Sequence, residues 1–226
     1  MSSFDFDRVV LTDVSRHYGR RRALSHVTVT CQAGRVLGLL GPNGSGKSTF
    51  LSILATLIAP SAGDVRYGNA TARSGGAALR GSIGLLAHDL FLYPELTPRE
   101  NLAFFAGLQG LQPSQPHVAA ALERAALGDR ADDPVVELSR GMRQRLALER
   151  AFLHDPRLVL LDEPFTGLDE QSVQALVVRI RDLKQHGRIV ILATHDVALA
   201  GGLMDDVVRL CEGRVESAEY GIRNAE

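Results

Sequence analysis

Apolar and polar residues alternate with different periods along the chain, and each period predicts an element. "VTVT" (Val27 to Thr30) alternates with period two, as a half-buried antiparallel strand does. "RVLGLL" (Arg35 to Leu40) is a continuous apolar run that opens into a glycine-rich turn. "STFLSILATLI" after it has helical length and ends at Pro60, so the order is strand, loop, helix. "GDVRYGN" predicts a further strand, and the small-residue stretch "GNATARSGGAALRGS" a surface connection. In "TPRE", Thr97 is the N-cap, Pro98 the first helical residue and Glu100 the partner of a capping box. "VAAALERAAL" continues in helical composition, and "RGMRQRLALERAFLHDP" predicts a helix stopped by Pro156. Residues 89–155 therefore read as a helical insert. "RLVLLDEP" and "RIVILATHD" return as apolar runs ending in polar groups, the pattern of parallel strands buried on both faces. "DEQSVQALVVRIRDLKQHG" between them predicts a helix with Gly187 at its end. The sum is an α/β core, and ligands of such sheets bind at the carboxyl ends of the strands.

Composition narrows this picture. With 226 residues, 45% of them hydrophobic, the chain fills a sizeable core as one body with a subdomain. Its 25 basic and 26 acidic residues leave a formal charge of -1, which supplies no field for nucleic acid or an anionic membrane surface. Arg20, Arg21 and Arg22 form a local cluster that reads as a solvated loop. Cys31 and Cys211 lack CxxC spacing, which suits a reducing compartment and builds no metal framework. "MSSFDFDRVV" carries acids and no long apolar core, unlike a secretory signal. No segment approaches the roughly 18 consecutive apolar residues of a membrane-spanning helix. Any membrane role is expected to run through a partner, with the chain itself on the cytoplasmic side.

The chemistry begins at "GPNGSGKS", which matches G-x-x-x-x-G-K-[ST] from Gly41 to Ser48 between a predicted strand and a predicted helix. Glycines let backbone N–H groups converge on phosphate oxygens, the helix presents its positive end, Lys47 bridges the terminal phosphates, and the Ser48 hydroxyl is a magnesium ligand. In "LVLLDEP", Asp162 at a strand tip is placed to hold Mg²⁺, and Glu163 beside it to polarise a water for attack on a γ-phosphate. In "LATHD", His195 ends the next strand, where an imidazole can bond that phosphate.

Over almost its whole length the chain resembles the ATP-binding subunits of ABC transporters. "LSRGMRQRLALERAFLHDP" is similar to the family's signature, with Leu138-Ser139-Arg140-Gly141-Met142 where LSGGQ is usual. The resemblance implies a P-loop NTPase (RecA-like) core with an N-terminal antiparallel β subdomain, together 1–88 and 156–226, and an inserted α-helical subdomain at 89–155. It implies ATP and Mg²⁺ held by Gly41, Pro42, Asn43, Gly44, Ser45, Gly46, Lys47, Ser48 and Thr49, with Ser48 and Asp162 at the metal and Tyr18 stacked on adenine. It also implies a head-to-tail pair of such domains, in which Ser139 and Gly141 of one chain close over ATP held by the other. "TGLD" (Thr166 to Asp169) resembles the loop that crosses this interface, with Asp169 linking the two sites. A homodimer or a homologous partner subunit, and a separate integral-membrane permease, follow as partners, with Arg99, Glu100, Phe104 and Phe105 as candidates for the permease contact. The phenylalanines read equally as helical core. The competing class, an ATP-gated clamp on DNA or ribosomes, usually carries coiled-coil inserts or tandem nucleotide domains, and this chain has neither.

His88 departs from the family pattern. By itself, a histidine closing the apolar run of "GLLAHDLFLYPELT" reads as core. Aligned through "LYPELT", it stands where most relatives carry the glutamine that joins the active site to the membrane partner. Imidazole nitrogen is a softer donor than Mg²⁺ prefers, so a bond to phosphate or to the attacking water fits better than metal ligation. His88, the "SRGM" form of the signature, "ERAFLHDP" and "DEPFTGLD" together resemble the haem exporter ATP-binding subunits of cytochrome c maturation (CcmA-type), which makes haem the expected cargo. Exporters of drugs, lipids and polysaccharides share most of these words.

Overall fold

The computed structural model describes residues 4–111, 115–196 and 202–222. In chain order the elements begin with strands β1 (Arg8–Tyr18), β2 (Arg21–Gln32) and β3 (Arg35–Leu40), helix α1 (Lys47–Leu54), strands β4 (Ala62–Tyr67) and β5 (Ala70–Thr71), helix α2 (Ala72–Arg80) and strand β6 (Ile83–Leu86). Helices α3 (Pro98–Leu108), α4 (Gln115–Arg124) and α5 (Arg140–Phe152) follow. The chain returns to β7 (Leu158–Asp162), α6 (Glu170–Gln185), β8 (Ile189–Thr194), β9 (Asp206–Cys211) and β10 (Arg214–Tyr220).

The strands form two sheets. One is antiparallel with order β2-β1-β4-β5, and the other has order β10-β9-β3-β8-β7-β6. In the second, β9, β3, β8, β7 and β6 are mutually parallel and β10 is an antiparallel edge. Its continuous apolar runs divide residue by residue between two cores. Leu37, Leu39, Leu158, Leu160, Ile189 and Ile191 pack toward α1 and the antiparallel sheet. Val36, Leu40, Val159, Leu161, Val190 and Leu192 pack with Ala147, Phe152 and Ile180 of α5 and α6. Successive strand residues point to opposite faces, so a strand covered on both sides must be apolar throughout. A third core joins Leu102, Leu122, Val135 and Leu146 of the helical part.

Several elements differ from the sequence reading. The stretch expected as a surface connection contains α2, capped by reciprocal bonds between Thr71 and Ser74 and broken at Gly76, which has φ 53°. Helix α1 stops at Leu54 rather than running to Pro60, with Thr56 in the left-handed region at φ 59°. The buried Tyr67 hydroxyl donates to the Leu54 carbonyl at 2.8 Å, satisfying a group that helix continuation would otherwise use. Arg21 and Arg22 are not in a loop but open β2. The capping box of α3 forms as read, with Thr97 and Glu100 bonded reciprocally and Pro98 in the first turn. Among the described residues, no helix is long and apolar enough to cross a membrane.

Candidate functional site

Four adjacent parallel strands deliver the polar groups to one edge of the sheet. β3 ends in the glycine-rich loop, β8 in His195, β7 in Asp162 and Glu163, and β6 two residues before His88. Gly41 has φ 151° and Gly46 φ 110°, and a Cβ on either would meet a backbone carbonyl, Leu210 O at 2.3 Å or Ala23 O at 2.5 Å. Only glycine fits where the loop is held this tightly against two strands. Helix α1 starts at Lys47 with no side-chain cap and no acid in its first turn. Its first amides and positive dipole end are thereby left for an anion.

Tyr18, Asn43, Gly44, Gly46, Lys47, Ser48, Thr49, His88, Asp162 and Glu163 line one cavity of about 290 Å³. Tyr18 is half exposed, with the Arg16 guanidinium 4.7 Å from its ring centroid. The Lys47 ammonium is buried and donates to the Gly41 carbonyl at 2.7 Å and the Pro42 carbonyl at 3.3 Å. The Ser45 hydroxyl is buried with no hydrogen-bond partner among the described residues. Asp162 is 6% exposed, and burial holds its carboxyl above the usual carboxylate range. The neighbouring Ser48 hydroxyl opposes that shift, Glu163 adds to it, and Lys47 and His88 oppose it.

Glu163 follows the end of β7 in the left-handed region, with φ 47°. Its amide donates to the Ala193 carbonyl at 2.8 Å, which holds this strained residue against β8. One carboxylate oxygen accepts from the Thr194 hydroxyl at 3.0 Å and the other is 2.8 Å from His195 Nδ1. Lys47 Nζ is 4.0 Å from the same carboxylate.

His88 is exposed in a bend of the chain and is not core. Its neighbours Asp89 and Phe91 line a different cavity, a groove of about 550 Å³ with Leu57, Arg80, Phe105 and Arg150. A single short loop therefore touches both spaces. Arg150, expected only as part of the signature helix, is mostly buried there. It donates to the Leu85 carbonyl at 2.7 Å and lies 5.0 Å from the Phe105 ring centroid. Burial lowers its pKa to about 10. Of the four candidates for the permease contact, Phe105 lines the groove and Phe104 is exposed, so neither is helical core. Arg99 instead pairs with Asp132 and Glu100 caps α3.

Ser139, Gly141 and Asp169 line no part of the cavity around Lys47. Ser139 caps α5 by accepting from the Met142 amide at 3.2 Å, which leaves its own hydroxyl proton free to donate. A Cβ on Gly141 would lie 2.6 Å from the Gly167 carbonyl, so the signature helix rests on the backbone of "TGLD". Asp169 caps α6 by accepting from the Ser172 amide at 2.8 Å, and that bond holds its carboxyl below the usual range. The sequence reading missed two residues here: Thr194, concealed in an apolar strand, and Arg21, which lines the cavity beside Gly44.

The model of the ABC transporter family matches residues 24–166. The chain belongs to the ABC transporter family. The Nod factor export ATP-binding protein I of Burkholderia lata is 36% identical over 218 residues, covering 95% of this chain and 72% of that protein. The linearmycin resistance ATP-binding protein LnrL of Bacillus subtilis is 32% identical over 202 residues, covering 88% of this chain and 63% of that protein. A solved dimeric bacterial ABC transporter cassette superposes with a TM-score of 0.86 at 27% identity, over 95% of this chain and 99% of that one. The chain is thus an ABC-type ATPase, whose substrate is ATP with magnesium. The donor set fits that ion: Ser48 and Asp162 offer hard oxygens that line the same cavity. Among the described residues there is no cluster of three or more His, Cys, Asp or Glu suited to a metal. Magnesium is characteristically held by one or two carboxylates and the substrate's own phosphates.

Proposed function

We propose that this ABC ATPase powers export through a separate integral-membrane permease, working as a pair of nucleotide-binding subunits on the cytoplasmic face of the cell membrane. The observation that carries this reading is the division of the site. Tyr18, Gly41 to Thr49, His88, Asp162 and Glu163 belong to one cavity or its loop, while Ser139, Gly141 and Asp169 stand outside it. A second copy, packed head to tail, completes the site by bringing its Ser139 hydroxyl and the amide end of its α5 to the γ-phosphate. Asp169 then lies at the junction of the two sites.

Tyr18 stacks on adenine, and Lys47 and the loop amides hold the phosphates. Ser48 and Asp162 would hold magnesium, whose chemistry there is to neutralise charge on the phosphate chain. Glu163 accepts a proton from the attacking water, and His195 orients Glu163 and bonds the γ-phosphate. Loss of that phosphate removes the contacts favouring the closed pair, so ATP must favour closure more than ADP does. The loop of His88 carries the change to the groove of Phe91, Phe105 and Arg150, where the permease docks, with the helical part 89–155 moving as a unit.

Two cargo readings stand. His88, "SRGM", "ERAFLHDP" and "DEPFTGLD" favour haem export for cytochrome c biogenesis. The relatives that serve Nod factor export and linearmycin resistance favour a drug, lipid or polysaccharide exporter. Deleting the gene and measuring haem attachment to cytochromes c separates them: loss supports haem, normal attachment the other class. Affinity purification of the full chain from its own cells tests the transport role, with a polytopic membrane subunit expected. Recovery of nucleic acid or ribosomes in its place overturns it.

A further inference from the structure

Of three consecutive arginines after Tyr18, Arg20 lies in the turn and Arg21 and Arg22 open β2, and the structure separates them. β1 and β2 pair with Tyr18 opposite Arg21 and His17 opposite Arg22. Alternation along β2 sends every second side chain to the same face, and Arg21 and Ala23 both line the nucleotide cavity while Arg20 and Arg22 do not. A Cβ built on Gly44 would lie 3.8 Å from Arg21 Nη2, so the guanidinium stands against the open side of the phosphate loop. Among the described residues the Arg21 side chain makes no hydrogen bond or ion pair.

The charges make this placement consequential. Lining the cavity, Lys47 is one cation facing two carboxylates, Asp162 and Glu163. Its ammonium is already bonded to loop carbonyls. A nucleoside polyphosphate entering that space brings several negative charges. A guanidinium matches phosphate oxygens with two parallel N–H donors, which an ammonium cannot do.

We propose that Arg21 is a phosphate-binding residue of the nucleotide site, its guanidinium donating to oxygens of the phosphate chain of ATP and ADP. This rests on the cavity being the nucleotide site. Tyr18 and Arg21, paired across the same hairpin, then divide the ligand between them: the ring takes the base and the guanidinium the phosphates. The short turn at Gly19 and Arg20 couples the two contacts, so base stacking and phosphate binding order one hairpin together.

The test is equilibrium titration of the full chain and its Arg21→Ala and Arg21→Lys variants with ATP, GTP and ADP in magnesium buffer at two salt concentrations, with steady-state ATPase rates. Arg21→Ala is expected to raise the Kd for all three nucleotides by a similar factor of about 10, the size of a charge-assisted bond weakened by solvent. It should flatten the salt dependence and raise KM for ATP in step with the Kd. Arg21→Lys should recover part of the affinity. An unchanged Kd overturns the proposal, as does a changed ratio of ATP to GTP affinity, which would mark a base contact. Equal loss in both variants with a lowered Tm overturns it in favour of a structural role. Lys47→Ala is the separate control: if it binds ATP as the unaltered chain does, the cavity is not the nucleotide site and the underlying reading fails.

Discussion

His195 Nδ1 stands 2.8 Å from one carboxylate oxygen of Glu163, so the last strand residue's successor on β8 and that on β7 meet side chain to side chain. The same carboxylate is 4.0 Å from Lys47 Nζ, which ties the pair to the phosphate loop. Replacing Glu163 by Gln keeps the shape and removes the carboxylate proposed as the base. Turnover is expected to fall about 100-fold or more while ATP binding persists. Size-exclusion chromatography with ATP should show the closed dimer accumulating, and an unchanged kcat would remove Glu163 from the catalytic role.

Thr194 gives a subtler test. Its buried hydroxyl donates to the other oxygen of Glu163 at 3.0 Å and accepts the Asp196 amide at 3.0 Å. Thr194→Val keeps the volume but leaves that carboxylate oxygen without its donor. A misaligned base lowers kcat by about 10-fold with KM changed less than about 2-fold, since the nucleotide contacts stay in place. Steady-state ATPase assays distinguish this from a binding defect, in which KM would move and kcat would not.

At His88, the two replacements should differ. His88→Gln keeps a polar group at the cavity and preserves turnover within about 3-fold, while His88→Ala loses about 10-fold, the factor that losing one hydrogen bond of about 1.4 kcal/mol makes. Both are measured with and without the permease. Wild-type activity in both variants would mean that His88 serves only its own loop.

Glu149, on α5, supplies a pH test away from the site. It is mostly buried, and that burial raises its pKa, against the Arg124 charge and hydrogen bond and the more distant Arg179. A raised carboxyl pKa means folding favours the protonated form. The stability it contributes is fully present below the ordinary carboxylate range and is lost as pH rises through the folded value. Glu149→Gln is not subject to that loss. Thermal melts should show the variant's Tm exceeding the unaltered chain's by about 2–4 °C at pH 7, the shift that 1 kcal/mol makes in a chain of this length. The difference should shrink as the pH falls into the ordinary carboxylate range. A lower Tm at pH 7 would mean that the Arg124 pair outweighs the desolvation.

Much of the fold is legible because the relevant forces are local or periodic. Thr97 and Glu100 lie three residues apart, so their capping box is written in the sequence and forms at that place. The runs of β3, β7 and β8 announce burial on both faces by lacking a polar phase. The small-residue stretch holding α2 misled because Gly75 and Gly76 mimic a linker. Gly75 is small for another reason: a Cβ there would meet Leu79 at 2.6 Å. Helix α1 ends early because of Tyr67, a strand residue whose hydroxyl reaches back to Leu54. No window around residues 47–58 contains that bond.

The motifs are legible in the chain alone: a phosphate loop, an acidic pair at a strand end, a histidine after the next apolar run, and a signature at a helix start. Each is a pattern of neighbours, and neighbours in sequence share backbone geometry. Tertiary structure alone decided which groups share a space. The order β3-β8-β7-β6 sets Lys47, His195, Glu163 and the loop of His88 along one sheet edge, although they are scattered along the chain. The pairing of β1 with β2 brings Arg21 to the same cavity and turns Arg22 away from it. Ser139, Gly141 and Asp169, on the helical part and the start of α6, stand outside that cavity. Strand order and pairing depend on how whole faces pack, and short spacings in the sequence carry no record of that.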